Sequence, residues 1–172
     1  LTVQDLDGNG FPEIISSGTV DGNDYRTWGL FSVLEFNPQI QSYSTKWISR
    51  IYHNEITSLE VFDIDEDNVY EILIGFDNGE IKVLSGSTFE ESYSVHTTNV
   101  PFSFLHDHSV SSIAFGDIDN DGTRNIVATN NDTTYIYHST TFALLRKVVT
   151  NGGKVILANV DGDPEIESIY SS

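Results

Sequence analysis

Apolar residues along the chain come in short runs, and none keeps a helical period of useful length. Four of these runs recur in one setting: "II" (14–15), "ILIG" (72–75), "IVAT" (126–129) and "SIY" (168–170). Each follows a polar loop, and two residues before each loop stands another apolar residue: Val3, Val61, Phe115 and Leu157. Short β-type runs bounded by Asp, Asn and Gly predict strand, loop, strand. The most ambiguous stretch, "FNPQIQSYSTKWISRIYHN" (36–54), also reads as strands.

The pattern repeats on a larger scale. "EILIGFDNGEIKVLSGSTFEESYSV" (71–95) matches "NIVATNNDTTYIYHSTTFALLRKVV" (125–149) with one residue dropped, and upstream "ITSLEVFDID" matches "VSSIAFGDID". "FDNGE" marks a hairpin, because Asn-Gly suits a two-residue turn with positive φ, and "TNNDTT" occupies the same place. One unit is therefore four short strands, with the polar loop between the first and second. The loops begin at residues 5, 63, 117 and 159, the last interval being shortened by a quick closure through "NGGK". Repeated four-stranded units predict an all-β fold, a β-propeller with each unit one blade. Residues 1–172 read as a single propeller segment of about three blades, beginning inside one unit and ending inside another, where a ring needs about four to eight. The expectation is a segment of a larger ring, or a piece completed by another chain.

Charge narrows the function. The net charge is −18, with 26 acidic against 8 basic residues. Nucleic acid needs a basic face, and an electrostatic grip on anionic lipid needs one too, so both are excluded as partners. The chain has no cysteine, which removes disulfides, thiolate metal sites and cysteine nucleophiles. No run approaches the roughly 18 apolar residues of a membrane span, and no signal peptide is evident. A start at Leu1 and the lack of methionine suggest a processed or excised piece of a longer protein.

Half of the 26 acidic residues stand at four equivalent positions of these four loops. Aligned, "DLDGNGFPE" (5–13), "DIDEDNVYE" (63–71), "DIDNDGTRN" (117–125) and "NVDGDPEIE" (159–167) share a nine-residue pattern. Position one is Asp5, Asp63, Asp117 and Asn159; position three is Asp7, Asp65, Asp119 and Asp161. Position five is Asn9, Asp67, Asp121 and Asp163; position nine is Glu13, Glu71, Asn125 and Glu167. Every one offers a side-chain oxygen, and the backbone carbonyl of position seven (Phe11, Val69, Thr123, Glu165) offers another. A calcium ion takes roughly six to eight oxygens at about 2.3–2.6 Å, whereas magnesium prefers a small octahedron and keeps its waters. Asp, Asn and Gly are also ordinary turn formers. Crowded carboxylates, however, repel without a counter-charge, and a bound dication reverses that sign. Up to four calcium ions are expected. The loop at 63–71 has four carboxylates, and the loop at 117–125 has three plus Asn125. Position six needs a left-handed backbone, which Gly10, Asn68 and Gly122 accept and Pro164 cannot take. An EF-hand is rejected, because position twelve is Ser16, Ile74, Ala128 or Tyr170 rather than glutamate, and the flanks are strands.

These loops resemble the FG-GAP or VCBS repeats, the calcium-loop blades of integrin-α-like β-propellers. The likeness rests on "VFDIDEDNVYEILIG" (61–75), "FGDIDNDGTRNIVAT" (115–129) and "LANVDGDPEIE" (157–167), with departures at Asn9, Asn125, Asn159 and Pro164. The resemblance implies calcium ligands at positions one, three, five and nine, with the carbonyl at seven. It also implies an extracellular, cell-surface or periplasmic protein, often adhesive or carbohydrate-associated.

Other residues carry less. "HDH" (106–108) offers only His106 and His108 to a transition metal, and reads as a polar connector. Trp28 and Trp47 are platforms for a sugar ring or, more simply, packing residues. No nucleophile elbow, zinc-protease helix or phosphate loop is present. The expectation is a non-enzymatic binding or adhesion module that contacts protein or glycan through blade-edge loops. The alternatives are a segment of a polysaccharide lyase or hydrolase, using Arg26, Lys46 and Arg50 on an acidic glycan, and a purely structural unit that closes a ring with its own copies.

Overall fold

Alternation along the chain becomes sheets stacked face to face. A computed structural model describes residues 1–21, 27–97, 108–150, 153–161, 163 and 166–171. The strands are β1 (Thr2–Gln4), β2 (Glu13–Asp21), β3 (Thr27–Asn37) and β4 (Ser42–Ile48), then β5 (Ile56–Phe62), β6 (Glu71–Phe76), β7 (Glu80–Ser85) and β8 (Glu91–His96). They continue with β9 (Ser112–Gly116), β10 (Asn125–Thr129), β11 (Thr133–His138) and β12 (Leu144–Val149), and end with β13 (Lys154–Ala158) and β14 (Glu167–Ser171). Three antiparallel sheets, β1-β2-β3-β4, β5-β6-β7-β8 and β9-β10-β11-β12, are followed by the pair β13-β14. The fold is all-β, built of β-propeller blades. The first sheet is four-stranded, so the expected start inside a unit is corrected: Thr2–Gln4 pair with Glu13–Ile15 and supply the innermost strand. The described residues contain no α-helix.

Each sheet packs on its neighbour in chain order, and no element of the first sheet touches β13 or β14 among the described residues. The arc is open. Strand β6 shows why the blades must stack. All six of its residues are buried, because Ile72, Ile74 and Phe76 enter the core shared with the first blade while Leu73 enters the core shared with the third. β10 does the same one blade later, with Ile126 and Ala128 on one face and Val127 on the other. A strand sandwiched on both faces needs apolar residues at every position, which is the run "ILI". Burial fades outward, so that all six residues of β12 are exposed. Gly75 marks a tight seam: a Cβ there would lie 2.6 Å from Val110 Cγ1.

Two details bear on the loops. The turn at "FDNGE" has three residues rather than two: Gly79 donates to the Phe76 carbonyl at 3.1 Å and alone takes positive φ, 83°. Asn78 instead accepts the Glu80 amide through its side chain. The second hairpin is one residue shorter, which is where the sequence alignment drops a residue. The fourth strand of each blade carries a β-bulge at one equivalent place. Its extra residue is Lys46 in β4 (between the partners of Leu34 and Val33), Ser92 in β8 (Leu84 and Val83) and Leu145 in β12 (Tyr137 and Ile136).

Candidate metal centres

The acidic loops join the first and second strands of each unit, as their spacing predicts. Position nine is the first residue of the second strand in all four: Glu13 opens β2, Glu71 opens β6, Asn125 opens β10 and Glu167 opens β14. The loops at 5, 63 and 117 share one backbone. Position six has positive φ in each, at Gly10 (85°), Asn68 (67°) and Gly122 (86°), as expected. Position four does too, at Gly8 (71°), Glu66 (62°) and Asn120 (54°). Two left-handed residues, two positions apart, coil the chain tightly in each loop.

Backbone amides hold the carboxylates. Asp5 accepts the amides of Asn9 (3.1 Å) and Gly10 (2.9 Å). Asp63 accepts those of Asp67 and Asn68, both at 3.1 Å, and Asp117 those of Asp121 (3.2 Å) and Gly122 (2.9 Å). Position five accepts the amide of position seven at 2.7 Å in Asn9–Phe11, Asp67–Val69 and Asp121–Thr123 alike. Position nine reaches back to the amide of position two: Glu13 to Leu6 (2.8 Å), Glu71 to Ile64 (3.1 Å), Asn125 to Ile118 (3.4 Å) and Glu167 to Val160 (2.8 Å). The side chains expected to be ligands are thus fixed to the backbone.

They also converge. Carboxylate oxygens of Asp5, Asp7 and Glu13 lie within 4.8 Å of one another, as do those of Asp63, Asp65 and Glu71, of Asp117, Asp119 and Asp121, and of Asp161, Asp163 and Glu167. Oxygens on opposite sides of one calcium ion stand about 5 Å apart. Asp67 is outside the triad of its loop, whereas Asp121 at the same position is inside its own. In the fourth loop Asn159 hydrogen-bonds through its amide to the Asp163 carbonyl. Glu165 and Pro164 fall outside the described residues, as do Arg26 and His106.

Electrostatics separate the first two loops. Burial, with Asp65, Asp67 and Asp63 close by, pushes the Glu71 carboxyl up to about 7. Among the described residues no lysine or arginine is ion-paired with Asp63, Asp65, Asp67 or Glu71, nor with Asp117, Asp119 or Asp121. In the first loop Lys46 Nζ lies 2.6 Å from Asp7, 3.1 Å from the fully buried Glu13 and 3.2 Å from Glu35. The Lys46 hydrogen bond holds the Asp7 carboxyl below its ordinary value. Burial opposes the charge on Lys46, yet the hydrogen bonds it donates to three carboxylates outweigh it and raise the ammonium's pKa. The enzyme alternative has Lys46 facing an acidic glycan; in the structure it meets the chain's own carboxylates. Arg50 likewise pairs with Glu91 at 3.1 Å and lies over the Tyr52 ring. Trp47 stacks on Phe89 at 4.8 Å and tilts against Phe31, so it is a packing residue, and Trp28 meets His53 edge-on.

Known protein families and curated proteins yield no match to the chain. Among solved structures, Saccharomyces cerevisiae Sqt1 superposes with a TM-score of 0.54 at 15% identity, over 94% of this chain and 46% of that one. Its fold is of β-propeller type, so this chain spans less than half of a propeller protein. A second structure, BBS1N in complex with ARL6DN, covers 92% of this chain and 62% of its own at 9% identity, but its TM-score of 0.38 is too low to bear on the fold. No helix among the described residues is long and apolar enough to cross a membrane.

Proposed function

We propose that the chain is part of a calcium-stabilised β-propeller, a binding or adhesion module of a secreted or cell-surface protein that meets a protein or glycan through blade-edge loops. One observation carries the calcium reading: the loops at 63–71 and 117–125 repeat the same two left-handed residues and the same amide-held carboxylates, and their acid groups point inward. Among the described residues no lysine or arginine pairs with the three carboxylates gathered in either loop, and a dication would supply the counter-charge. Asp63, Asp65 and Glu71 would hold one ion and Asp117, Asp119 and Asp121 another, with Asn125 closing the second shell of oxygens. The oxygen-only donor set fits calcium better than a transition metal. Its task is structural: a ligand that binds only the folded form stabilises it by mass action. The remaining blades, from the rest of a longer chain or from another one, would close the ring.

Calorimetric titration of the 172-residue chain with calcium, paired with thermal melts in calcium and in excess chelator, tests the metal. Saturable binding and a higher melting temperature in calcium are expected; identical melts in both conditions refute it. A glycan array probed with calcium-loaded protein then addresses the ligand.

A further inference from the structure

We infer that the first acidic loop takes no metal, because the Lys46 ammonium stands in the cation's place. The contrast with its neighbours rests on the calcium reading of the second and third loops. Geometry sets the loops apart. Lys46 Nζ touches Asp7 and Glu13, two of the three residues whose oxygens converge there, so a dication and the ammonium compete for one space. Glu13 turns Oε2 to the Leu6 amide and Oε1 to Lys46, so the oxygen free of the backbone faces the ammonium, with the whole side chain buried. A buried carboxylate without a positive partner is costly, and here the partner is covalently part of the chain.

The position of Lys46 explains why only this blade is built so. It is the extra residue of the β4 bulge, and the equivalent residues are Ser92 and Leu145. Ser92 turns its hydroxyl to the Val83 carbonyl, and Leu145 is exposed. Neither brings charge to its loop. Glu35 completes the clamp. It stands one residue beyond Leu34, the partner of Ile14, and the residues at that place in the other blades are Ser85, opposite Glu71, and His138, opposite Asn125. The carboxylate that anchors the lysine and the lysine itself thus occur together, in the first blade alone among the three four-stranded sheets.

The test counts bound calcium by calorimetry and equilibrium dialysis in the 172-residue chain and its variants. Asp5→Asn leaves the wild-type count unchanged, while Asp63→Asn lowers it by one. Lys46→Met, with Lys46→Gln as a second variant that keeps a polar end, raises the count by one and loses stability in chelator that calcium restores. A count that falls by one in Asp5→Asn, or that does not rise in folded Lys46→Met or Lys46→Gln protein, overturns the inference. Failure of the calcium reading looks different: the wild type then binds no ion at all, and a single site appearing only in the lysine variants would leave the inference standing.

Discussion

The loops at 5–13 and 63–71 have nearly one backbone and opposite electrostatics. Both wind through left-handed residues at positions four and six, and both tie position nine back to position two. In one, an ammonium neutralises the cluster from within; in the other, burial and three aspartates force Glu71 up to about 7. The comparison teaches that loop geometry and counter-charge are separable. The coil is set by a few backbone torsions and amide hydrogen bonds, and the charge arrives from a different strand.

The largest way to break the comparison is to remove calcium. Two sites at a hundredfold excess over Kd contribute about 2.7 kcal/mol each. At about 2–4 °C per kcal/mol for a chain of this size, chelator should lower Tm by on the order of 10 °C. Hydrogen exchange followed by mass spectrometry should lose protection around 63–71 and 117–125 and keep it around 5–13. An even loss over all three loops breaks the comparison.

Single-site changes come next. In calcium, Asp63→Asn should cost about 2–3 kcal/mol, a bound ion's worth. Asp5→Asn should cost about 1 kcal/mol, the scale of one weakened hydrogen bond. Chemical denaturation in saturating calcium measures both; equal costs would erase the distinction.

Titration separates the loops more gently. In the metal-free chain the folded state holds the Glu71 proton more tightly than the unfolded state, whose carboxyl titrates near about 4.3. This group's contribution therefore favours folding at low pH, is lost as pH rises from about 4.3 to about 7, and is flat above that. Glu71→Gln should remove that component, so that in chelator the variant gains on the wild type between pH 5 and pH 8. Denaturant midpoints across that range would show it; parallel curves would not.

The smallest expected effect is at position four. Glu66 takes the left-handed torsion that Gly8 adopts freely, at a cost of about 1 kcal/mol for a residue with a Cβ. Glu66 also pairs with Arg124 of the next loop at 3.4 Å, an exposed contact worth little. Glu66→Gly should leave stability unchanged or raise it by up to about 1 kcal/mol. A loss beyond that would mean the pairing between loops matters more than the torsion.

Much of this was legible before any coordinates. Strand, loop, strand followed from the apolar runs, and the four-stranded unit from aligning 71–95 with 125–149. Position six was legible because Gly10, Asn68 and Gly122 are residues that tolerate left-handed backbone. Position four was not, since Glu66 gives no such sign and the fold imposes its torsion. The contact of Lys46 with Glu13 was not legible, because nothing local ties it to a residue 33 positions away; their meeting depends on a bulge two strands over. A faint signal existed in Glu35 and Lys46, opposite charges that have no counterpart in the matching unit around Ser85 and Ser92.

The bulge on the outermost strand has a use as an engineering socket. Lys46, Ser92 and Leu145 occupy the same slot in successive blades, and two of them are free of any duty in their loops. Ser92→Lys together with Ser85→Glu would transplant the clamp one module along, where Glu71 and Asp65 stand in the places of Glu13 and Asp7. A ring assembled from such modules would have its metal demand written blade by blade, on its periphery, with every cage left as it was.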